Sequence, residues 1–210
     1  MKCTILIAAP AAGKGTIAKY LQEKYNYNHL STGNLLREEI KNKTDLGLKV
    51  SSLVERGLLV SDDIILEIIE NKLSNMNSNL VLDGFPRNIN QAKLLDNYIL
   101  NSNIEIDKVI FIDVDKEVAI DRIVNRLTCE DCGSVFNKNI LNELKCTKCG
   151  GNLVSRKDDT RESYLLRYNQ FIDETMPLVN YYGDKVITIY NDKTIEDMYK
   201  TIDNIFKGDE

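Results

Sequence analysis

The chain has 210 residues, of which 43% are hydrophobic and 28% are charged, and its formal net charge is −5. A chain of this length can bury one sizeable core and still carry an inserted subdomain. The acidic balance argues against a nucleic-acid partner, whose binding requires a basic surface, and no apolar run approaches the length of a membrane span. We therefore expect a cytoplasmic protein that acts on small molecules, without a nucleic-acid or membrane partner.

Short apolar segments alternate along the chain with amphipathic helical patterns. The apolar segments predict strands at residues 4–8, 80–82, 108–114 and 186–190. The helical patterns cover residues 14–25, 33–41, 46–56, 62–73, 89–101, 116–126, 161–181 and 194–206. Short strands between helices favour an α/β fold, in which helices cover both faces of a parallel central sheet. Ligands of such folds bind beyond the carboxyl ends of the strands.

The first predicted strand runs into a loop of small residues, and residues 5–16 read ILIAAPAAGKGT. This order is typical of a phosphate-binding loop, because backbone N–H groups and a helix N-terminus attract phosphate while Lys14 adds a full charge. The match to the general pattern is incomplete. Ala8 occupies its first glycine position, and Gly15 stands where Ser or Thr would bind Mg²⁺. The alternative is an ordinary strand–turn–helix with an exposed lysine.

Four of the five cysteines form two pairs, Cys129-x₂-Cys132 and Cys146-x₂-Cys149. A glycine follows the second cysteine of each pair and allows a tight turn around a metal. Four thiolates at this spacing predict one structural Zn²⁺ in a tetrahedral site. Disulfides are the alternative, but nothing in the sequence indicates an oxidising compartment. Cys3, at the start of the first strand, is expected to be a small core residue.

Five segments carry a family resemblance. They read APAAGKGT at 9–16, STGNLLR at 31–37, DGFPR at 83–87 with Gln91, DRIVNR at 121–126, and RKDD at 156–159 with Arg167. With these segments the chain resembles the adenylate kinases, nucleoside monophosphate kinases that convert ATP and AMP into two ADP. The resemblance implies a P-loop three-layer fold with three parts: a core nucleotide-binding domain (1–30, 61–126 and 159–210), a helical AMP-binding insert (31–60) and a small zinc-containing lid (127–158). It also implies Mg²⁺ with ATP, the partners ATP, AMP and ADP, and a monomer.

The resemblance assigns roles to residues that suit phosphoryl transfer, which depends on positioning and positive charge. The catalytic set is Lys14, Arg87, Arg126, Arg156 and Arg167. The ATP-binding set is Ala11, Ala12, Gly13, Lys14, Gly15, Thr16, Arg122, Arg126, Val135 and Phe136. The AMP-binding set is Thr32, Arg37, Leu58, Val60, Gly84, Arg87, Gln91, Arg156 and Arg167, with the Gln91 amide reading the adenine edge. Asp83, directly after a predicted strand, would orient the waters of Mg²⁺.

The chain departs from the family pattern at three positions. Asn34 stands where the family usually has Asp, and Ala8 and Ala11 stand where it usually has Gly. We expect both alanines to adopt ordinary negative φ while the loop still binds phosphate. His29, the single histidine, is expected to be structural. Two alternatives stay open: a UMP or CMP kinase, and a non-catalytic nucleotide-sensing zinc-ribbon protein.

Overall fold

A computed structural model describes residues 1–56, 58, 60–74, 76–141, 143–191 and 194–207. Its strands are β1 Lys2–Ala8, β2 Asn28–Ser31, β3 Leu80–Asp83, β4 Glu105–Asp113, β5 Arg126–Cys129, β6 Val135–Asn137, β7 Leu153–Val154 and β8 Val186–Tyr190. A parallel central sheet has the order β2-β3-β1-β4-β8, and a small antiparallel sheet has the order β6-β5-β7. The four strands predicted from the sequence all lie in the central sheet, which confirms the α/β fold.

The helices are α1 Lys14–Tyr25, α2 Thr32–Lys41, α3 Asp45–Glu55, α4 Asp62–Leu73, α5 Ile89–Leu100, α6 Lys116–Val124, α7 Arg161–Gln170, α8 Pro177–Tyr182 and α9 Ile195–Phe206. Most begin at a side chain that caps the first turn, namely Ser31, Thr44, Asn88, Asp115, Thr160 and Thr194. Within the described residues, each helix is too short or too polar to span a bilayer.

Helices cover the central sheet on both faces. On one face, Leu21 of α1 and Phe206 of α9 belong to the same fully buried cluster. On the other face, Ile69 of α4, Leu95 of α5 and Leu178 of α8 form part of a second cluster. The strands between these clusters are buried on both sides, which explains why they are continuous apolar runs rather than alternating ones. The carboxyl edge of the sheet is therefore the place where loops can form a site.

The edge strand β2 is absent from the sequence-based prediction. Two of its side chains, Asn28 and His29, are polar and half-buried, so the segment lacks the apolar run that marks the other strands. It is a strand because it pairs in parallel with β3, placing Leu30 beside Leu82 and Ser31 beside Asp83. Pairing with a distant segment decides its structure, and local propensity does not.

The single helix predicted over residues 161–181 is wrong. A π-helical turn at Phe171–Thr175 separates α7 from α8, and the N–H of Met176 donates to the carbonyl of Phe171 at 2.8 Å. Pro177, at the start of α8, has no N–H, and its ring conflicts with the carbonyl four residues earlier in a regular helix. The wider π turn accommodates the proline at this point.

The helix predicted over residues 116–126 is also too long. Asn125 ends α6 and donates from its side chain to the carbonyl of Asp121 at 3.0 Å. Arg126 consequently opens β5 and stands at the entrance to the small sheet. No strand is predicted in the segment from 127 to 158, yet β5, β6 and β7 pair there. These strands are too short to leave a clear sequence pattern.

Candidate active site

Residues 9–13 connect β1 to α1 at the carboxyl edge of the sheet. Gly13 is the N-cap of α1 with φ of 101°, and a Cβ there would lie 2.6 Å from Nδ2 of Asn191, so the position requires glycine. The same Nδ2 donates to the carbonyl of Ala12 at 2.8 Å. Gly13 has no side chain with which to cap the helix, which leaves the first N–H groups of α1 for an anion.

Ala11 corrects the expectation of negative φ in this loop. Its φ is 59°, in the left-handed region, whereas Ala8 lies in the extended backbone of β1 as expected. The chain reverses within a few residues between β1 and α1, and the bond from Asn191 to Ala12 holds the next peptide in place. The tight reversal therefore imposes a conformation that costs an L-residue about 1–2 kcal/mol.

Lys14 is the first residue of α1, and its side chain lies back across the loop. Its Nζ donates to the carbonyl of Ala8 at 2.8 Å and to that of Ala9 at 3.4 Å. The side chain is therefore half-buried, which argues against the alternative of an ordinary strand–turn–helix with an exposed lysine. Burial lowers the pKa of Lys14 to about 8, since the nearby Asp83 opposes the shift only in part and Arg87 adds to it.

Asp83 ends β3 close to the loop. A Cβ on Gly15 would lie 3.9 Å from its Oδ2, and that oxygen is 3.3 Å from Nε2 of His29. Burial disfavours the carboxylate, but the His29 hydrogen bond and the charge of Lys14 outweigh burial and hold the pKa of Asp83 below its ordinary value. Asp83 is thus an ionised carboxylate beside the loop, which fits a ligand to Mg²⁺ or to its waters. His29 has a direct contact to the site.

A cavity lies between α2, the end of α3 and the start of α5. It is lined by residues that the resemblance assigns to AMP, namely Thr32, Arg37, Leu58, Val60, Gly84, Arg87, Gln91 and Arg167. Apolar side chains that the sequence reasoning missed complete the wall, namely Leu36, Val54 and Ile65. Of the assigned AMP set in the described chain, Arg156 does not line this cavity. A few cationic groups beside an apolar wall suit a phosphorylated ligand with a flat ring.

Arginines from separate segments meet between the cavity and the loop. The pKa of Arg87 is lowered to about 10, mainly by burial and in part by the charges of Arg167 and Arg37. Burial lowers the pKa of Arg156 to about 9, again with a contribution from Arg37 and also from Arg126. These shifts arise because like charges are held close together away from water. The cluster therefore favours a polyanion.

Two acidic residues hold part of this cluster in position. Asp159, whose side chain is 2% exposed, forms a bidentate pair with Arg126, and the Nε–Oδ2 distance is 2.8 Å. Nη1 of Arg167 donates to Oδ2 of Asp158 at 3.0 Å. Both carboxylates belong to the RKDD segment at residues 156–159. That segment contributes to the family resemblance, but the sequence analysis assigned no role to its two aspartates. The bidentate pair fixes the guanidinium plane of Arg126 as well as its position.

Three further residues of the ATP set lie beside the loop or in the small sheet. Arg122, in the last turn of α6, donates from Nη2 to the carbonyl of Asn191 at 2.8 Å, which connects it to the loop. Val135 of β6 is half-exposed, and Phe136 packs against the apolar cluster of the small sheet. Asn191 was missed by the sequence reasoning, because an isolated Asn after a strand carries no distinctive pattern.

The two cysteine pairs converge at one point next to the small sheet. The four sulfur atoms lie within 4.8 Å of one another and come from Cys129, Cys132, Cys146 and Cys149. Two of the sulfur–sulfur distances are 3.5 and 3.6 Å, close to the separation of about 3.8 Å that four 2.3 Å bonds in a tetrahedral site require. Gly133 and Gly150, with φ of 68° and 78°, form the two turns. The cluster could hold zinc, and its cysteines are free rather than disulfide-bonded.

A phosphate loop and a second anion-binding cavity, joined by shared arginines, define a P-loop kinase of small phosphorylated substrates. Residues 6–187 match the family model described as adenylate kinase. The adenylate kinase of Alkaliphilus oremlandii is 42% identical over 94% of this chain and 95% of its own length. Those of Clostridium tetani and Kosmotoga olearia are each 38% identical over 96% of this chain, and over 96% and 99% of their own lengths. The chain belongs to the adenylate kinase family, whose members are nucleoside monophosphate kinases.

Proposed function

We propose that the chain catalyses the reversible, Mg²⁺-dependent transfer of the γ-phosphoryl group from ATP to AMP, giving two ADP, and so supports adenine-nucleotide homeostasis in the cytoplasm. The observation that carries this proposal is the position of Arg87 and Arg167. Both line the cavity, and both lie close enough to Lys14 on the phosphate loop to lower its pKa. Two anionic ligands bound at the loop and in the cavity would thus bring their phosphates together.

The residues divide the work by their positions. The N–H groups of the loop and of the α1 N-terminus would hold the ATP phosphates, and Lys14 would exchange its carbonyl partners for phosphate oxygens. Arg37 and Arg87 would hold the AMP phosphate, one oxygen of which attacks the γ-phosphorus. The bond from that phosphorus to the β–γ bridging oxygen breaks, and ADP leaves. Arg126, Arg156 and Arg167 would neutralise the charge on the transferred group.

Two metals have separate tasks in this proposal. Mg²⁺ bound with ATP would neutralise part of the negative charge of the ATP phosphates. Asp83 would orient it through water, since Gly15 offers no hydroxyl at the position that usually binds the metal. One Zn²⁺ on the four thiolates would be structural, because four protein ligands leave no open position for chemistry.

The three parts named from the sequence remain the proposed organisation. Residues 1–30, 61–126 and 159–210 would form the core, residues 31–60 the AMP-binding insert, and residues 127–158 the lid. The active unit would be a monomer, because every proposed contact to the two nucleotides comes from one chain. The lid would exclude water, so that the phosphoryl group is transferred to AMP and is not hydrolysed.

The test is an assay of the zinc-loaded protein with Mg²⁺, ATP and each nucleoside monophosphate, with ADP measured by chromatography. We expect ADP to form with AMP, at a much higher kcat/KM than with UMP or CMP. A preference for a pyrimidine monophosphate would replace the proposal by the UMP or CMP kinase reading. Nucleotide binding without turnover of any monophosphate would favour the nucleotide-sensing protein.

A further inference from the structure

Gln91, in the first turn of α5, has its side-chain amide held from two sides. It is 2% exposed and lines the cavity. Its Oε1 accepts a hydrogen bond from the backbone N–H of Arg87 at 2.7 Å. Its Nε2 donates to Oδ1 of Asp62, at the start of α4, also at 2.7 Å. The N–H of Arg87 can only donate a hydrogen bond and the carboxylate of Asp62 accepts one, so both partners favour the same orientation of the amide.

Asp62 is suited to act as a permanent acceptor. Besides the bond from Gln91, its carboxylate accepts hydrogen bonds from Nδ2 of Asn90 at 2.8 Å and from Nδ2 of Asn88 at 3.1 Å. Burial works against its ionisation, but these amide donors outweigh burial and hold the pKa of Asp62 below its ordinary value. An ionised carboxylate has no hydrogen to donate, so it cannot pair with the oxygen of Gln91. A neutral amide in its place could pair with either end of the Gln91 amide, and the Arg87 N–H would then be the one partner of the two that still favours the observed orientation.

The orientation decides what Gln91 can offer a ligand. Within the described chain, the two bonds leave one N–H hydrogen and one oxygen lone pair of the amide unused. The adenine edge carries an acceptor at N1 and a donor at N6, which match that N–H and that lone pair. Hypoxanthine has a donor at N1 and an acceptor at O6, so it requires the reversed amide.

We propose that Asp62 is a positioning residue that makes the monophosphate site select adenine over a 6-oxopurine, by fixing the amide of Gln91 in one orientation. The inference rests on the proposed function, since it requires the monophosphate base to lie against Gln91. Asp62 contacts no nucleotide itself. It acts from behind the amide, in the same way that an acidic residue behind a histidine selects the tautomer that faces a substrate.

The experiment compares AMP with IMP, which differ only at the N1–C6 edge of the base. We expect Asp62→Asn to lower kcat/KM for AMP and raise it for IMP, changing the AMP:IMP ratio by about tenfold, as a hydrogen-bonding site discriminates strongly against a mispaired edge. Asp63→Asn is the matched control, because Asp63 is exposed in the same helical turn and its replacement makes the same change of charge. The control should leave the ratio unchanged.

A purely structural role for Asp62, as a tie between α4 and α5, makes a different prediction. Asp62→Asn would then weaken AMP and IMP equally, and an unchanged ratio overturns the inference. Equilibrium binding of AMP and IMP to the same variants provides a readout that does not depend on turnover. In a Gln91→Ala background, Asp62→Asn should have no further effect on the ratio, and an effect there also overturns the inference.

Failure of the proposed function has a separate signature in the same data. A wild-type protein that phosphorylates neither AMP nor IMP contradicts the proposed function, and with it this inference. A wild-type protein that prefers AMP, and keeps that preference unchanged in Asp62→Asn, contradicts only the role of Asp62.

Discussion

At the scale of single residues, Ala11 holds the phosphate loop in a conformation that glycine adopts more readily. Its φ of 59° costs about 1–2 kcal/mol, whereas glycine would lose about 0.5–1 kcal/mol through the greater freedom of its unfolded chain. We therefore expect Ala11→Gly to raise the free energy of unfolding by about 0.5–1 kcal/mol, measured by urea denaturation. Ala12→Gly is the control and should lower it, because Ala12 is buried and outside the left-handed region. Equal destabilisation by both changes would contradict this account.

Lys14 should contribute chiefly to the transition state, in which negative charge moves between the phosphates. We expect Lys14→Met to lower kcat at least about 10²-fold, as the loss of one preorganised donor does. The loop loses two hydrogen bonds from Nζ, so the free energy of unfolding should fall by only about 1–2 kcal/mol. The exposed Lys49 provides a control, and Lys49→Met should keep normal turnover. Near-normal turnover of Lys14→Met would exclude the loop as the ATP site.

The lowered pKa of Lys14 also predicts a dependence on pH. Its pKa is about 8 in the folded protein against an ordinary 10.5, so folding releases a proton between these values and stability rises with pH across that interval. In the same interval the free enzyme loses the charge that attracts ATP. We expect kcat/KM for ATP to fall as pH rises through about 8, while kcat changes less because bound phosphates retain the proton.

Lys14→Arg tests whether the fall in kcat/KM at alkaline pH is due to Lys14. A guanidinium stays charged through this range, so the variant should lose the fall in kcat/KM whatever its absolute rate. The same fall in kcat/KM in the variant would mean that a group other than Lys14 causes it.

At the scale of elements, the small sheet with its cysteine turns depends on a metal more than the central sheet does. Among the described residues, its buried cluster consists of Leu127, Cys129, Cys146 and Leu153, with Phe136 and Leu141 packed against it. A unit of this size needs a cross-link or a bound metal to be stable. Because the unfolded segment has no preformed site, the free energy of metal binding contributes directly to folding. The central sheet has two large clusters of its own and needs no metal.

We expect one Zn²⁺ per chain by elemental analysis, and loss of that zinc in Cys146→Ser. Thermal stability and turnover should both fall, since Arg126 and Arg156 adjoin this sheet, while most of the helical circular dichroism signal should persist at room temperature. Cys3→Ser is the control, because Cys3 is buried in β1 away from the cluster and should leave the zinc content unchanged. A protein that contains no metal and has disulfides between these cysteines would contradict the zinc assignment.

At the scale of the whole molecule, the site concentrates positive charge from distant parts of the chain. The part of the chain that the structure describes includes arginines whose pKa values are lowered by burial and by the charges of neighbouring arginines, namely Arg37, Arg87, Arg156 and Arg167. The free protein bears the cost of this repulsion, and bound phosphates remove it. Anion binding should therefore stabilise the entire fold, because these arginines come from α2, the β3–α5 connection, the segment after β7, and α7.

We expect MgATP together with AMP to raise the unfolding midpoint, with a gain of about 2.7 kcal/mol from each ligand at a hundredfold excess over its Kd. Adenosine is the control, at the same concentration and with sodium chloride to match the ionic strength. It should raise the unfolding midpoint only slightly, because adenosine has no phosphate. Equal stabilisation by adenosine would show that the bases, and not the phosphates, account for the effect.

Short-range patterns in the sequence were sufficient for several parts of this protein. The run of small residues before Lys14 and the spacing within each cysteine pair reflect contacts that span only a few positions. Apolar runs identified the inner strands because burial on both faces leaves no polar positions. Family resemblance then gathered arginines that no local pattern could have related to one another.

Long-range contacts decided the rest. The φ of Ala11 depends on a loop held by Asn191, which bonds to Ala12 across 179 positions. Strand β2 exists because β3 pairs with it, and the orientation of the Gln91 amide follows from Asp62, 29 positions earlier. Local sequence is sufficient to specify which chemical groups are available and the turns that present them. The tertiary structure decided their conformation and partners, because those depend on which elements pack together, and packing energy outweighs the small local preferences of single residues.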